Sequence, residues 1–598
     1  MKQRLTYLLK LYFALLLTFV VQKIFFIFVN IQYAESLSFG NFFNILWHGL
    51  NLDSVTSCYI LALPAIIVLI SIFFKHFPLR PILYPYYLII SLIVAVIFLA
   101  DLVLYHFWGA KMDANDLIYA ANPKDLFASL PIWATIVAFI LIIAITWGYF
   151  LFFKLITPRQ LPPCTHPLWS LLMLPLLGLI FLGMRGGVKE STANPSYAYF
   201  TSQAYHNHAA LNPTFNMLHS LFKAEDLSNE FQFYFPDELN QIIGNTYQQD
   251  PRITDTLFTT PHPDILILLW EGGGHDMIMN DSVGPNIMRL KEEGIYFSNC
   301  YANNFRTDRG MVSLLSGWPG LPTTSLMKRS DKCRKLPSIA RTLRTQGYHT
   351  RFIYGGDIDF TNVRGYLAET GYIDIWGDAE FPQSRKLSNW GAPDEYVLQS
   401  ALTLPPSPHF TTLLTLSSHE PWDVPYHRLP DARQNSFAYT DSCIGSYIQQ
   451  LRNTPQWDNL IVIITPDHGV PLSSNQSTSD WHVSHIPIVI IGGAVKAPCT
   501  IDRLMNQNDI AATLLAQLNL NITTFPFSRN ILSPSYSEQP HFATHAYKNG
   551  INYIDSTGIT TFDCINQKTL QNQFEPSAQR ESFIKALLQL TYKASGDL

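Results

Sequence analysis

Four segments that lie far apart in the chain carry side chains suited to metal binding and phosphoryl transfer. Each follows an apolar, strand-like run: Glu271, Thr307, His419 and the pair Asp467-His468. A threonine hydroxyl is a poor nucleophile at neutral pH unless a base or a metal removes its proton. Carboxylates and a single imidazole form a ligand set that suits manganese, magnesium or zinc. The four segments together therefore predict a threonine nucleophile that a divalent ion activates.

The surroundings of Thr307 favour an anionic substrate. A helix-like apolar pattern begins at this residue, and the first N–H groups of a helix attract anions. Asp308 and the flanking Arg306 and Arg309 add charges that could orient a phosphate or sulfate ester. His485, just before the last core strand, is a further candidate for substrate binding, with a purely structural histidine as the equal alternative.

An alternation of strands and helices after residue 264 would bring the four segments together. Strands are predicted at 265–270, 295–301, 350–354, 410–416, 460–465 and 486–491. Helices are predicted at 284–293, after Thr307, and at 337–346, 437–451 and 508–518. This alternation indicates an α/β domain with a mostly parallel central sheet flanked by helices. Ligands of such folds bind beyond the carboxyl ends of the strands, where all four segments lie. A Glu after one strand is common by itself. The prediction therefore rests on four strands that are each followed by side chains able to bind a metal.

The first 185 residues have a different composition, dominated by apolar side chains. Long apolar stretches lie at 11–30, 55–74, 84–107, 132–153 and 167–184. Each is close to the roughly 20 residues that a helix needs to cross a bilayer. Five such runs in succession are rare in soluble folds, so we predict an N-terminal five-helix transmembrane domain rather than buried soluble helices.

Charged residues between the apolar stretches predict the orientation in the cell membrane. Cations flank the first, second and fourth stretches on one side: Lys2, Arg4, Lys10, Lys75, Arg80, Lys154 and Arg159. Such cations mark the cytoplasmic side, which places the N-terminus in the cytoplasm. An odd number of spans then places the rest of the chain outside. The predicted domains are a five-span transmembrane domain at 1–185, a juxtamembrane linker with helices at 186–260, and an extracytoplasmic catalytic domain at 261–598.

Charge and cysteine usage exclude other classes of protein. The formal net charge is only −5 over 598 residues, and no basic stripe with interleaved aromatics is present, so nucleic acid is not an expected partner. The seven cysteines show no Cys-x-x-Cys spacing. They therefore indicate neither a disulfide framework nor a zinc ribbon.

The motifs Leu-Leu-Trp-Glu271-Gly, Phe-Arg-Thr307-Asp and Thr-Pro-Asp467-His468-Gly resemble those of a known superfamily. Over nearly its whole length the chain resembles the alkaline-phosphatase/sulfatase superfamily. Within it, the chain is most similar to the membrane-anchored branch of lipoteichoic acid synthase and the phosphoglycerol transferases. The resemblance implies that Glu271, Thr307, Asp467 and His468 bind one divalent ion, commonly manganese. It also implies that Thr307 is the nucleophile.

The same resemblance implies two substrate-binding residues. His419 in Ser-Ser-His-Glu-Pro-Trp matches a family histidine near the substrate phosphate, and Arg364 in Phe-Thr-Asn-Val-Arg-Gly-Tyr resembles an arginine that holds the lipid head group. Lipoteichoic acid synthases carry a histidine shortly before that arginine, whereas this chain reads Tyr354-Gly-Gly-Asp. The resemblance therefore does not determine the head group of the donor lipid. Formylglycine sulfatase chemistry is not expected, because Thr307-Asp-Arg-Gly lacks the Cys- or Ser-x-Pro-x-Arg core.

The predicted activity is transfer of a phosphoglycerol unit, or a related phospho-head-group, through a phospho-threonine intermediate. The donor is a membrane phospholipid, and the acceptor is a glycan or lipid outside the cytoplasm. Phosphoethanolamine transfer is one alternative. A membrane-bound phosphodiesterase or sulfatase-like hydrolase that uses water is another. A third is an inactive membrane scaffold, against which the intact set of metal-binding residues argues.

Overall fold

The chain folds into two units, Met1–Glu225 and Asp226–Leu598. A computed structural model describes residues 1–34, 37–108, 111–112, 132–164, 167–188, 192–201, 203–223, 227–386, 391–472, 476–570 and 577–598. The segment predicted as a linker, 186–260, is divided between the two units.

The N-terminal unit is helical. Its α-helices are α1 (Lys2–Val29), α2 (Phe39–Ile70), α3 (Leu79–Trp108), α4 (Ile132–Ile156), α5 (Met173–Arg185), α6 (Ala204–Ala210) and α7 (Pro213–Lys223). Among the described residues, four helical segments are long and apolar enough to cross a membrane: Lys2–Val29, Phe39–Phe73, Leu79–His106 and Ile136–Ile156. These four correspond to the first four predicted stretches.

The predicted count of five long transmembrane helices is wrong. The fifth apolar stretch begins as a 3-10 helix, Pro167–Leu172, and only its second part, α5, is α-helical. With 13 residues, α5 is about 20 Å long at 1.5 Å per residue. The hydrocarbon core of a bilayer is about 30 Å thick. The number of apolar residues overestimated the length of the α-helix, because it does not show that the helix begins only at Met173.

Acidic side chains within the apolar helices of this unit have buried cationic partners. Lys23 of α1 forms an ion pair with Asp53 of α2, and Asn212 donates a second hydrogen bond of 2.8 Å to the same carboxylate. Lys111 pairs with Asp101 of α3 at 2.5 Å. Buried charges persist when they are paired and hydrogen-bonded. The first pair therefore links α1 to α2, whereas the second links α3 to the segment that follows it.

The C-terminal unit is built on a nine-stranded sheet. Its strands are β1 (Asp264–Trp270), β2 (Ile295–Tyr301), β3 (His349–Tyr354), β4 (Asp374–Trp376), β5 (His409–Leu414), β6 (Leu460–Pro466), β7 (His485–Ile491), β8 (Cys499–Ile501) and β9 (Met505–Asn506). Their order is β4-β3-β5-β1-β6-β7-β2-β8, with β9 beside β2. Only β7 runs antiparallel to its neighbours, β6 and β2. The predicted mixed α/β domain with a mainly parallel sheet is thus confirmed.

Helices cover both faces of this sheet. The α-helices of the C-terminal unit are α8 (Pro236–Ile243), α9 (His275–Ile278), α10 (Pro285–Glu293), α11 (Thr307–Ser316), α12 (Ser330–Cys333), α13 (Ile339–Thr345), α14 (Val363–Thr370), α15 (Asp394–Ser400), α16 (Ala432–Leu451), α17 (Asp509–Gln517) and α18 (Ala578–Asp597). The core is double: Ile265, Ile267 and Leu269 belong to one apolar cluster. Leu266, Leu268 and Trp270 belong to the other. Because successive side chains of a strand point to opposite faces, a strand buried on both sides reads as one apolar run.

A second, antiparallel sheet was not predicted from the sequence. Its strands are β10 (Phe542–Tyr547), β11 (Gly550–Asp555), β12 (Gly558–Asp563) and β13 (Lys568–Leu570). Its first strand meets the loop before α11, where the Ala546 N–H donates to the Asn303 carbonyl at 2.8 Å. The small sheet therefore supports the turn that precedes Thr307.

Candidate active site

The strand register brings Glu271 and Asp467 to one edge of the sheet. Trp270, the last residue of β1, is the direct partner of Pro466, the last residue of β6. The next residue on each strand is therefore a carboxylate at the carboxyl edge. The backbone of Glu271 is fixed on its other side by β5, because its N–H donates to the Thr415 hydroxyl at 3.0 Å.

Thr307 lies at the start of α11 and contacts two candidate metal ligands, Glu271 and His468. Its hydroxyl donates to Glu271 Oε2 at 3.1 Å and lies 3.5 Å from His468 Nε2. The same imidazole nitrogen is 3.3 Å from Glu271 Oε1 and 3.6 Å from Asp467 Oδ2. Four side chains from three separate segments thus converge on one small volume.

The donor atoms of this cluster fit a metal ion. Asp467 Oδ1 accepts hydrogen bonds of 2.9 Å from the backbone N–H groups of Gly272 and His468. Asp467 Oδ2 is buried and has no hydrogen-bond partner among the described residues. His468 Nδ1 donates to the Gly469 carbonyl at 2.9 Å, which leaves Nε2 as the nitrogen that could bind a metal ion. Such a bond on the outer nitrogen orients metal-binding histidines in general. Glu271, Asp467 and His468 form a group that could hold a cation.

The electrostatics of the cluster also favour a cation. Burial and the negative charge of Glu271 raise the pKa of Asp467 to about 7. Burial lowers the pKa of an imidazole, but Asp467 and Glu271 outweigh it and raise the pKa of His468 to about 10. For Glu271, burial is outweighed by the hydrogen bond from His468 and its charge, so the pKa is lowered. Without a metal the cluster thus retains a proton, which a divalent ion would displace on binding.

Gly310 allows α11 to lie close to the candidate metal ligands Glu271, Asp467 and His468. A Cβ atom at this position would lie 2.0 Å from the Asp467 carbonyl oxygen. That carbonyl is itself held, because it accepts a 2.9 Å hydrogen bond from Gln507 Nε2. The helix that carries Thr307 can therefore contact the end of β6 only with glycine here.

The charged neighbours of Thr307 have local partners. Asp308 is buried and lies 3.2 Å from Lys328 Nζ and 3.5 Å from Arg306 Nε. Burial alone would raise the pKa of Asp308, but Lys328, the Ser325 hydroxyl and the two flanking arginines together outweigh it and the pKa is lowered. Arg309 donates to two backbone carbonyls of the loop that follows α11. Of the two arginines that flank Thr307 and Asp308, only Arg306 lines the cavity described next.

A cavity of about 400 Å³ opens above the cluster. Its polar base includes Glu271, Thr307 and His468, and His419 lines its wall. Its lining also includes five aromatic side chains: Phe305, Tyr354, Phe360, Trp422 and Phe437. The volume lies in the lower part of the roughly 300–1,000 Å³ range of small-molecule sites. A polar base under aromatic walls suits a phosphate attached to an organic group.

His419 is held in the cavity wall by a buried carboxylate that the sequence did not single out. Asp394 Oδ1 accepts from the backbone of Leu416 at 2.7 Å and of Ser417 at 3.2 Å, and Oδ2 accepts from Thr440 at 2.7 Å. These bonds fix the loop after β5. The ring itself donates from Nδ1 to the Glu420 carbonyl at 2.8 Å, so Nε2 is the acceptor nitrogen. No local pattern marks Asp394, because its partners are remote in sequence.

Two of the predicted substrate residues do not line this cavity. Arg364 donates from Nε to Asp359 at 2.8 Å. His485 stacks on His275 with ring centroids 4.1 Å apart, and its Nε2 bonds to the Ser298 carbonyl at 2.9 Å. With Asp276 these two histidines form a separate, partly exposed group. Tyr354 does line the cavity. The sequence did not identify it as a substrate residue, because it lies in the stretch where lipoteichoic acid synthases carry a histidine.

Fold and site together define a class of protein. A threonine, two carboxylates and a histidine meet at the carboxyl edge of a mainly parallel sheet, as in metal-dependent enzymes that act on phosphate or sulfate esters. The family described as Sulfatase matches residues 263–520, which contain all of these side chains. A crystal structure of a protein in the alkaline phosphatase superfamily from Vibrio parahaemolyticus has the same fold. The TM-score is 0.53 at 22% identity, with 61% of this chain and 98% of that chain covered.

Curated relatives agree with this class. Phosphoglycerol transferase I of Xanthomonas axonopodis pv. citri is 23% identical over 292 residues, which are 44% of this chain and 41% of the relative. Inner membrane protein YejM of Salmonella typhimurium is 33% identical over 243 residues, 40% of this chain and 39% of the relative. The matches thus span about two fifths of the curated relatives. The domain at 263–520 thus matches the Sulfatase family and resembles the alkaline-phosphatase/sulfatase superfamily. The predicted resemblance is confirmed.

Proposed function

We propose that the protein transfers a phosphoglycerol unit, or a related phospho-head-group, from a membrane phospholipid to a glycan or lipid acceptor. The similarity to phosphoglycerol transferase I supports this class of reaction. The observation that carries the proposal is the position of the Thr307 hydroxyl. It lies within 3.5 Å of both Glu271 and His468 at the base of the cavity.

A divalent ion, with manganese as the first candidate and magnesium or zinc as alternatives, would be held by Glu271, Thr307, Asp467 and His468. Such an ion lowers the pKa of a bound hydroxyl and neutralises charge on phosphoryl oxygens. Gly272 and the backbone of His468 hold the Asp467 carboxylate in place. The Gly469 carbonyl keeps the His468 ring in the tautomer that presents Nε2.

Two displacements at phosphorus complete the reaction. In the first, Thr307 Oγ1 forms a bond to phosphorus while the bond to the diacylglycerol oxygen breaks. Glu271 Oε2, 3.1 Å from the hydroxyl, is in place to accept its proton. In its protonated form, with a second N–H at Nε2, His419 in the cavity wall is the candidate donor of a proton to the leaving diacylglycerol oxygen, and it becomes neutral in the step. In the second, an acceptor hydroxyl forms a bond to phosphorus while the bond from phosphorus to Thr307 Oγ1 breaks. The acceptor's proton passes to the neutral His419, and Glu271 returns its proton to Thr307 Oγ1.

We also propose that the N-terminal unit anchors the protein in the cell membrane, with the N-terminus in the cytoplasm and the catalytic unit outside. The similarity to an inner membrane protein supports the location. The cations Lys2, Arg4, Lys10, Lys75 and Arg80 at the ends of the first two apolar stretches support a cytoplasmic N-terminus.

The test uses the full-length protein in vesicles that contain labelled phosphatidylglycerol or phosphatidylethanolamine, with Mn²⁺ and an alkyl glucoside as acceptor. Diacylglycerol release from phosphatidylglycerol, with label transferred to the glucoside, is the expected result. Thr307→Ala is the control and should release none. Release only from phosphatidylethanolamine would instead identify a phosphoethanolamine transferase. Equal release without any acceptor would identify a hydrolase. An absence of release from both lipids would contradict the proposal.

A further inference from the structure

Arg433 is a cavity-lining arginine without an ion pair among the described residues; Asp431 and Glu420 are its more distant acidic neighbours. It lies in the first turn of α16, and its Nη2 atom is buried without a hydrogen-bond partner among the described residues. No carboxylate of the described residues lies within 4.0 Å of it, whereas Arg306, the other arginine in the lining, is paired with Asp308. A buried donor on a charged group is costly unless something accepts its hydrogen bond.

The position of Arg433 in α16 increases the free-energy cost of its unbonded Nη2 group. The N-terminal end of a helix carries partial positive charge, so a cation in the first turn is disfavoured and an anion beside it is favoured. An anion at Arg433 would therefore satisfy the buried Nη2 and offset the repulsion from the helix. Asp431, the N-cap residue, accepts from Gln434 N at 3.0 Å. With Glu420 it favours the charge of Arg433 from beyond ion-pair distance, but neither carboxylate bonds to Nη2.

The neighbour of Arg433 is a strained aromatic residue. The guanidinium carbon lies 5.7 Å from the centroid of the Trp422 ring. Trp422 lines the cavity and has a φ of 61°, in the left-handed region that a bulky side chain rarely adopts. On the same cavity, Thr361 has a φ of 53°. Strained residues of this kind cluster at binding and catalytic sites.

We propose that Arg433, held against Trp422, is the anion-binding residue of this cavity and takes a phosphate oxygen of the substrate. This role differs from the one expected for Arg364, whose guanidinium is bonded to Asp359. A guanidinium is suited to it, because its planar N–H groups bind a phosphate at two points and its face packs on an aromatic ring. The phosphate could belong to the donor lipid or to an acceptor. The proposal rests on the proposed function only for the identity of that substrate.

The first experiment measures phosphate binding directly, without turnover. Full-length protein loaded with Mn²⁺ is titrated calorimetrically with inorganic phosphate. Arg433→Gln should weaken binding about tenfold or more, or remove one equivalent, because a charge-assisted hydrogen bond is lost. The matched control is Arg428→Gln, an exposed arginine 4.4 Å from the Tyr426 ring that does not line the cavity. It should bind phosphate as the unchanged protein does.

A second variant separates binding from folding. Arg433→Lys retains the charge and the aliphatic stem, so it should fold normally and bind phosphate more strongly than Arg433→Gln but more weakly than the unchanged protein. Thermal unfolding of both variants checks that the fold is intact. A binding isotherm of folded Arg433→Gln or Arg433→Lys that matches the unchanged protein would overturn the proposal.

Turnover then identifies the source of the phosphate. If it belongs to the donor, Arg433→Gln raises the KM for phosphatidylglycerol about tenfold when diacylglycerol release is measured without acceptor. If it belongs to the acceptor, only the KM for the acceptor rises. Either result supports the role of Arg433, and unchanged values of both KM contradict it. Phosphate binding that depends on Arg433 in a protein that releases no diacylglycerol would refute the proposed function while leaving this inference intact.

Discussion

The substitution Gly310→Ala tests the packing of the site without altering any residue assigned to chemistry. The new Cβ would lie 2.0 Å from the Asp467 carbonyl oxygen, whereas real Cβ contacts stay beyond 3.0 Å. Helix α11 and the end of β6 must therefore separate by about 1 Å, the difference between these distances. Overpacking of this kind costs about 1–3 kcal/mol. Alanine returns at most about 1 kcal/mol through its higher helix propensity. We expect a net loss of about 1–2 kcal/mol in the free energy of unfolding.

The effect on turnover should be larger than the effect on stability. Thr307 begins the displaced helix, and Asp467 ends the strand from which it moves away. A misplacement of 1 Å at a reacting group can lower a rate about 100-fold. We therefore expect Gly310→Ala to remain folded at room temperature, to bind metal more weakly, and to release diacylglycerol about 100-fold more slowly.

Three measurements on the purified full-length protein check this expectation: thermal unfolding, metal content and the rate of diacylglycerol release. The matched control is Ser313→Ala in the same helix. Its hydroxyl is buried without a hydrogen-bond partner among the described residues, so its removal should change little. A Gly310→Ala protein with the rate and metal content of the unchanged protein would refute the reasoning, because the close approach of α11 to Asp467 would then be unnecessary.

Three further predictions follow from the site and the N-terminal unit. Asp467→Asn and His468→Ala should abolish binding of Mn²⁺ measured by calorimetry, whereas His485→Ala, in the separate histidine group, should retain it. Because metal binding must displace the proton of His468, whose pKa is about 10 in the absence of metal, the apparent affinity should rise with pH below that value. The rise is about tenfold per pH unit for one proton released, and equal affinities at pH 6 and pH 8 would contradict it. A periplasm-active reporter fused after Leu598 should be active, and the same reporter fused at 75–82 inactive; the reverse pattern would refute the proposed orientation.

The sequence was sufficient for the parts of the fold that rest on continuous apolar runs. Strands such as β1 and β6 are buried on both faces, so every residue except Asp264 and Thr465 is apolar and the strand is evident without its partners. The strands of the second sheet contain polar residues and turn signals, as in Phe542–Tyr547, and were not predicted. The prediction of a transmembrane helix at 167–184 failed for another reason. Its length in residues suggested a span, but the α-helix begins only at Met173.

Site residues were predictable where they follow a strand of the central sheet. Glu271 and Asp467 are the first residues after β1 and β6, so the register of two parallel strands determines their proximity. Arg433 follows no strand, and nothing local distinguishes it from Arg428. Its significance comes from a cavity whose walls also include Trp422, and from the absence of a carboxylate partner among the described residues. Such features depend on packing between remote segments, which periodicity and motifs do not encode.

The central claim is that Thr307 attacks the donor phosphate, and a covalent adduct tests it most directly. Full-length protein with Mn²⁺ is exposed to labelled phosphatidylglycerol without acceptor, quenched and digested for mass spectrometry. We predict a phosphoglycerol adduct on the peptide that contains Thr307, and its disappearance when an acceptor is added. Thr307→Ala should form no adduct and release no diacylglycerol. If Thr307→Ala releases diacylglycerol at the rate of the unchanged protein, the covalent mechanism is wrong and water is the attacking group.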